Sequence, residues 1–427
     1  MADSEKHSGE ASNSTMSTML RRVRKLLLGL FVAYILAVVL VMTPLVQTRF
    51  VASLYHVSED LNPCYRVLYA QHIDFLWYNK FDHPEHYGLA PGKTVNLKVQ
   101  SSDNLTLGAW FIFSDQFYHS LPYPPQPNTN YSFPNRQHIP AALKSHPTIL
   151  FLHGNTGTRA HHLRTALYSA FTSRLGANVL AIDYRGFGDS EGHPTVSGVG
   201  KDARAGWDYL AGMGAKPQDV LIVGHSLGTA IAGLLAADLG RGGINPRGTV
   251  LMAPFSSVRK LIDEYYLFGF LPLLRPLSMI PLAPRLVTWS LVHRFDTLTL
   301  VSDIKSSVLI AHADNDKDIP VTHASLLFDA FLSPHLPSSP SLPPNPLSPT
   351  EWDNYTSQTS LRTGKRHEVV NTLDIEGYGV YEEMSKDVVK REGGRKVALL
   401  RTRTGGHDVG RVEGVQDEIG RMLGLFV

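Results

Sequence analysis

Short apolar runs recur along the chain, at Thr148–Leu152, Val179–Asp183, Val220–Val223, Thr249–Met252 and Val308–Ala311, each ending in polar or glycine residues. Helical stretches separate several of them, and Lys396–Thr402 makes a last run near the C-terminus. Strands alternating with helices predict an α/β domain with a mostly parallel, doubly wound sheet. Before it, Lys93–Val99 and Leu105–Phe113 flank Ser102-Asp103-Asn104 and read as an antiparallel hairpin. Asp115–Pro147, rich in Pro, Asn, Tyr and His, reads as a surface insertion. The proline-serine run from Ser333 to Pro349 reads as a flexible insertion whose low complexity fades by Arg366. Between two strands, Phe255–Val301 holds many Leu, Phe, Tyr and Pro, where a lid over a pocket would lie; core packing of two helices is the alternative. A closing helix is expected up to Leu425.

The N-terminal pattern is different. Met1–Leu20 is polar, and with the basic cluster up to Lys25 it reads as a disordered tail. Leu26–Val46 then carries no charge, and as a helix at ~1.5 Å per residue it would span about 31 Å, the thickness of a bilayer's hydrocarbon core. A cleaved signal peptide would have a shorter apolar region and a small-residue cleavage site. The pattern therefore favours an uncleaved transmembrane signal-anchor over 26–46. Basic residues precede it and only Arg49 follows closely, which puts the N-terminus in the cytosol and the rest on the far side. Sequons at Asn104, Asn130 and Asn354 fit a lumenal domain. Residues 47–92 read as a connector, which leaves 93–427 for the α/β domain.

Composition changes this picture little. The chain of 427 residues is 43% hydrophobic and 18% charged, enough for one large core with appendages. A net charge of +2 gives no reason to expect a nucleic-acid partner. Cys64 is the single cysteine, so an internal disulfide framework and a multi-cysteine metal site are excluded.

The chemistry centres on Asp219–Gly240, where a strand runs into Gly224-His225-Ser226-Leu227-Gly228 and then a small-residue helix, Thr229–Leu239, expected to stop at Gly240. This is the order of a nucleophile elbow in the α/β-hydrolase fold, with Ser226 exposed on a tight turn. Gly188-Asp189-Ser190-Glu191-Gly192 matches the same pattern, but acidic residues flank Ser190 and no apolar helix follows, so it reads as a turn. Ser226 needs a base and a carboxylate, in the chain order Ser, acid, His. After the last strand comes His407, the base. His293, His312, His323, His335 and His367 do not follow a final strand. The acid should follow Val308–Ala311, where Asp314, Asp316 and Asp318 compete. Their alternation imitates a calcium loop, but Ile319 and Ser325 occupy the positions that loop gives to glycine and glutamate. Backbone N–H groups of Leu227 and of Asn155, in His153-Gly154-Asn155-Thr156-Gly157, are the candidate oxyanion donors.

The motifs HGNTGTRAHH, DYRGFGDSEG, GHSLGT, HADNDKDIP and GGHDVG, in that order, resemble the membrane-anchored monoacylglycerol and lysophosphatidylserine lipases among the α/β-hydrolase domain proteins. The resemblance covers about Pro147–Val427 outside the proline-rich insertion, together with the apolar N-terminal span. It implies Ser226 as nucleophile, Asp316 as the acid and His407 as the base. It also implies an anchor in the endoplasmic reticulum with a lumenal catalytic domain. The long proline-rich insertion and Asp115–Pro147 depart from the family pattern and bear on substrate preference. The expectation is a membrane-bound serine hydrolase acting on single-chain lipid esters drawn from the bilayer, without metal or cofactor. Tyr265–Leu274 is expected along the acyl-chain path. A thioesterase or peptidase with the same triad, or an inactive membrane-tethered module, are the alternatives.

Overall fold

A computed structural model describes residues 79–121, 136–155, 157–264, 266–267, 271–272 and 294–426, with 21–26, 28, 29, 32 and 36. The chain divides into two compact units, one comprising Met1–Val67 with Arg285–Ser290 and the other Leu68–Pro284 with Leu291–Val427. In the first unit the described residues are helical and exposed. Most of the expected anchor, Leu26–Val46, lies outside the described residues. Among those that are described, no helix is long and apolar enough to cross a membrane. Most of the tail over 1–25, most of the connector over 47–92 and most of Tyr265–Leu274 also lie outside.

The second unit is built on a ten-stranded sheet. In chain order the strands are β1 (Thr94–Gln100), β2 (Thr106–Ile112), β3 (Thr148–Leu152), β4 (Asn178–Ile182), β5 (Val220–His225) and β6 (Gly248–Met252). A separate two-stranded ribbon, β7 (Tyr266–Leu267) and β8 (Leu271–Pro272), follows. The sheet resumes with β9 (Val308–Ala313), β10 (Val370–Ile375), β11 (Gly379–Met384) and β12 (Val397–Thr402). The spatial order is β1-β2-β4-β3-β5-β6-β9-β12-β11-β10. The run from β4 to β12 is parallel, while β1–β2 and β11–β10 add antiparallel strands at both edges.

The parallel strands read as unbroken apolar runs because both of their faces are covered. Leu150, Leu180, Ile222, Leu251 and Ile310 face one core, with helices α4 (Val196–Gly212), α5 (Leu227–Arg241) and α7 (Thr322–Leu332) packed on it. Their neighbours Phe151, Ala181, Val223, Met252 and Ala311 face the other, under α3 (His162–Arg174) and the last helix, Glu413–Met422. Burying each of the larger of these side chains is worth about 1.5–3 kcal/mol. The strand order reverses between β3 and β5, and the crevice beyond their carboxyl ends is where ligands collect in open α/β sheets.

Several elements differ from the sequence pattern. Gly240 does not stop α5, which runs on to Arg241 and is capped at Gly242. A Cβ on Gly240 would collide with the Asp303 carbonyl, so this glycine serves a close approach of backbone rather than a helix end. Asp115–Pro147 is not wholly superficial. Its two ends form α1 (Asp115–Ser120) and α2 (Ile139–Ser145), which bury Phe117, Tyr118, Ile139, Ala142 and Leu143. The stretch expected to be flexible holds a long helix, α8 (Pro349–Val369), and β10–β11 follow it. Helix α8 is polar all round and buries only Val369, so it carries no apolar stripe to betray it. Its cap does: Ser348 Oγ accepts from the Glu351 N–H at 3.4 Å, with Pro349 at the first position. Within the lid interval, α6 (Val258–Glu264) and the β7–β8 ribbon are described.

Candidate active site

Ser226 caps α5 with φ 52° and ψ −120°, a conformation that costs a non-glycine residue about 1–3 kcal/mol and has to be held by its surroundings. Two glycines hold it. A Cβ on Gly224 would strike the Gly228 carbonyl, and one on Gly228 would strike the Leu152 carbonyl. Strand β5, helix α5 and the end of β3 can therefore meet only without side chains at these positions. The turn is further tied by Ser226 N–H donating to Met252 O at 3.0 Å and Thr229 N–H donating to Ser226 O at 2.9 Å.

His407 follows β12 and stands with Nε2 2.9 Å from Ser226 Oγ. Its Nδ1–H donates to Asp316 Oδ2, also at 2.9 Å. The other carboxylate oxygen of Asp316 accepts from the N–H groups of Asp318 (2.8 Å) and Ile319 (3.0 Å). His312 Nε2 lies 3.2 Å from Asp316 Oδ2 and 2.9 Å from Ile319 O. Burial alone would raise the Asp316 pKa, but the hydrogen bonds from His312 and His407 outweigh it and hold the carboxyl well below the usual range. Burial works against charge on His407 as well. The hydrogen bond to Asp316, its charge, and the charges of Asp318 and Asp408 prevail, and the imidazole pKa is raised above its ordinary value.

The neighbouring carboxylates are placed elsewhere. Asp314 pairs with Arg401 at 2.9 Å, and Asp318 is exposed with its carboxylate 4.0 Å from His407 Nδ1. Asp316, Asp318 and His407 are close enough together to surround a cation. They make a poor ligand set, because His407 Nδ1 must carry a proton to donate to Asp316 and so has no lone pair to offer. Ser190, in the second elbow-like match, is structural: its Oγ donates to Asp183 O at 2.8 Å and accepts from Gly108 N–H at 2.9 Å. Of the other histidines C-terminal to Ser226, His323 bonds Ser256 Oγ at 2.8 Å, His335 faces Glu392 at 3.2 Å, and His293 lies outside the described residues.

A cavity of about 390 Å³ opens on Ser226, walled by Phe151, Leu163, Leu167 and Met252 and edged by Arg411 and Asp408. Gly154 and Asn155 line it beside Ser226, and a Cβ on Gly154 would sit 3.3 Å from Ser226 Cβ. Leu227 is the first residue of α5, and an N–H in the first turn has no partner within the helix. One residue escaped the sequence reading. His225, in the cavity wall, uses Nε2–H to donate to the backbone oxygen of His407 at 2.8 Å. Burial, and then the nearby His407 ring, push its pKa down to about 4, so it stays a neutral donor. The signal was the residue just before Ser226, which the chain bends toward the His407 loop.

Residues 149–409 match the alpha/beta hydrolase family. The chain is 28% identical over 318 residues to lysophosphatidylserine lipase ABHD12 of Danio rerio, covering 73% of this chain and 72% of that protein. It is 33% identical over 242 residues to lysophosphatidylserine lipase ABHD12 of Gallus gallus, covering 56% of this chain and 58% of that protein. An alpha-beta hydrolase from Vibrio vulnificus, of known structure, aligns at 16% identity and a TM-score of 0.49, over 86% of this chain and 95% of that one.

Proposed function

The chain belongs to the alpha/beta hydrolase family, and from that footing we propose that it is a membrane-bound serine hydrolase that cleaves the acyl ester of single-chain lipids. Monoacylglycerol and lysophospholipids such as lysophosphatidylserine are the substrates this reading favours, the latter by likeness to the lipases it matches. The observation that carries the reading is the unbroken relay from Ser226 Oγ through the His407 ring to Asp316, with 2.9 Å at each step. Neutral His407 takes the Ser226 proton as Oγ attacks the acyl carbonyl, while Asp316 fixes the tautomer and stabilises the imidazolium. The tetrahedral oxyanion is met by the N–H groups of Leu227 and Asn155. His407 then protonates the departing alcohol and activates water against the acyl-enzyme.

Other features support the lipid and membrane parts of the proposal. The cavity's apolar wall suits an acyl chain, and Arg411 with Asp408 offers both signs of charge to a zwitterionic head group. Basic Arg21–Lys25 before uncharged Leu26–Val46 favours a single-pass anchor with a cytosolic N-terminus and a domain in the endoplasmic reticulum lumen. Asn104 and Asn354 are exposed, as glycan acceptors would be.

The test is labelling of membranes by a serine-reactive fluorophosphonate, comparing wild type, Ser226→Ala and Ser190→Ala. Loss of labelling in Ser226→Ala alone is expected. Labelling that survives Ser226→Ala would overturn the assignment. Turnover of lyso-lipids against acyl-CoA and peptide substrates then separates a lipase from a thioesterase or peptidase, since the triad does not encode the leaving group.

A further inference from the structure

The loop that carries Asn155 is held by groups the triad does not use. Arg164, on α3 and almost wholly buried, sends Nη2–H to Gly154 O at 3.1 Å and Nη1–H to Thr158 O at 2.6 Å. The buried His153 ring, through Nδ1–H, donates to the same Gly154 O at 2.7 Å. Gly154 O and the Asn155 N–H belong to one peptide unit. Because that unit is planar and trans, fixing the direction of its C=O fixes its N–H in the opposite direction. Gly154 lies against Ser226, and Asn155 shares the cavity wall with it. The guanidinium also draws electron density toward the carbonyl end of the peptide, which leaves the N–H a stronger donor.

We propose that Arg164 is a positioning residue for the oxyanion hole: its grip on the Gly154 and Thr158 carbonyls aims the Asn155 N–H at the oxyanion formed on Ser226. This rests on the reading of Ser226 as nucleophile. Arg164 also lines the cavity, and on this proposal it acts through the peptide rather than by touching the substrate. Its loss should therefore weaken binding of the transition state and leave binding of the ground state nearly untouched. Of these two bonds, a lysine can replace only one, because a single ammonium cannot match the guanidinium's two separated N–H donors.

The experiment measures kcat and KM for p-nitrophenyl butyrate with the full-length protein in detergent, for wild type, Arg164→Met and Arg164→Lys, alongside thermal unfolding. Removing an oxyanion donor outright costs about 10²–10³ in kcat, so a donor left present but unaimed should cost Arg164→Met about 10- to 100-fold, with KM within about threefold. Arg164→Lys should recover part of that loss. An Arg164→Met enzyme that melts normally and keeps its kcat would overturn the proposal. So would a rise in KM at constant kcat, which would make Arg164 a substrate contact. If Arg164→Met does not fold, Arg164→Lys decides: a loss of at least fivefold in kcat at constant KM supports the proposal, and wild-type kcat overturns it. A wild type that neither hydrolyses the ester nor takes the fluorophosphonate would sink the hydrolase reading itself, and this inference with it. An active wild type indifferent to Arg164 sinks this inference alone.

Discussion

Asp316 and His407 impose opposite pKa shifts on each other, and activity should record the exchange. A base must be neutral to accept the Ser226 proton, so kcat/KM falls as pH drops through the His407 pKa. Asp316 raises that pKa, which places the acid limb of the profile above the ordinary imidazole value near 6.5. Asp316→Asn removes the hydrogen bond and charge that raise it most, and burial, which lowers the pKa, is then opposed by the charges of Asp318 and Asp408 without Asp316. The variant should lose about 10⁴ in kcat, and the acid limb of its residual activity should move to lower pH. A pH–rate profile in which the limb stays in place would show that another group sets it. Arg159 makes a separate demand on stability. It is fully buried, with the equally buried Asp183 against its guanidinium and backbone N–H and with Asp189 at 2.7 Å. Arg159→Met strands the Asp183 charge and should cost about 3–5 kcal/mol in urea unfolding; a loss below 1 kcal/mol would mean that the carboxylate finds another partner.

Helix α5 illustrates how a propensity is overruled by its neighbours. Glycine inside a helix ordinarily costs about 1 kcal/mol relative to alanine, so Gly240→Ala would stabilise an isolated helix. Here the added methyl would meet the Asp303 carbonyl and approach Lys305 Cγ at 3.1 Å. Backbone cannot swing aside as a side chain can, and overpacking of this kind costs about 1–3 kcal/mol. Gly240→Ala should therefore lower the unfolding midpoint, and a higher midpoint would show that the α5 and Asp303 backbones separate easily. The same helix shows how an element's ends create chemistry. Its first turn begins at Leu227, one residue after the strained Ser226, so the proposed nucleophile and the first-turn helix N–H groups arrive together.

Across the hydrolase unit, the long excursion before β10 is nearly independent of the core. No residue from Ser338 to Leu361 is buried, and Arg362 donates to Pro337 O, which brings the two ends of the excursion together. Arg366, beyond it, is the residue tied to the body, through Asp329 at 3.0 Å and Glu382 at 2.8 Å. Replacing 338–361 by a short Gly-Ser link should leave fluorophosphonate labelling within about twofold, because such a closure adds little loop entropy. Folded protein that no longer labels would show that α8 supports the site.

Local pattern determined most of the sheet and pointed to the candidate site. Parallel strands covered on both faces have to be apolar throughout, so Thr148–Leu152 and its successors announced themselves without partners. Ser226 and His407 were legible because the fold places each chemical group directly after a strand, and a strand's end is visible in a chain. The choice of Asp316 over Asp314 and Asp318 came from family likeness, since three carboxylates alternating along one loop are chemically alike until the loop folds. Tertiary structure separated them, giving Arg401 to Asp314, solvent to Asp318 and the His407 ring to Asp316. It alone decided that Gly240 meets a carbonyl and that His225 holds the His407 backbone, while polar α8 left no more than its Ser348–Pro349 cap in the chain. Each of these depends on atoms brought together from distant points in the chain or on a helix with no apolar stripe. Hydrophobic periodicity records whether a residue is buried, and it carries no information about which distant group lies against it.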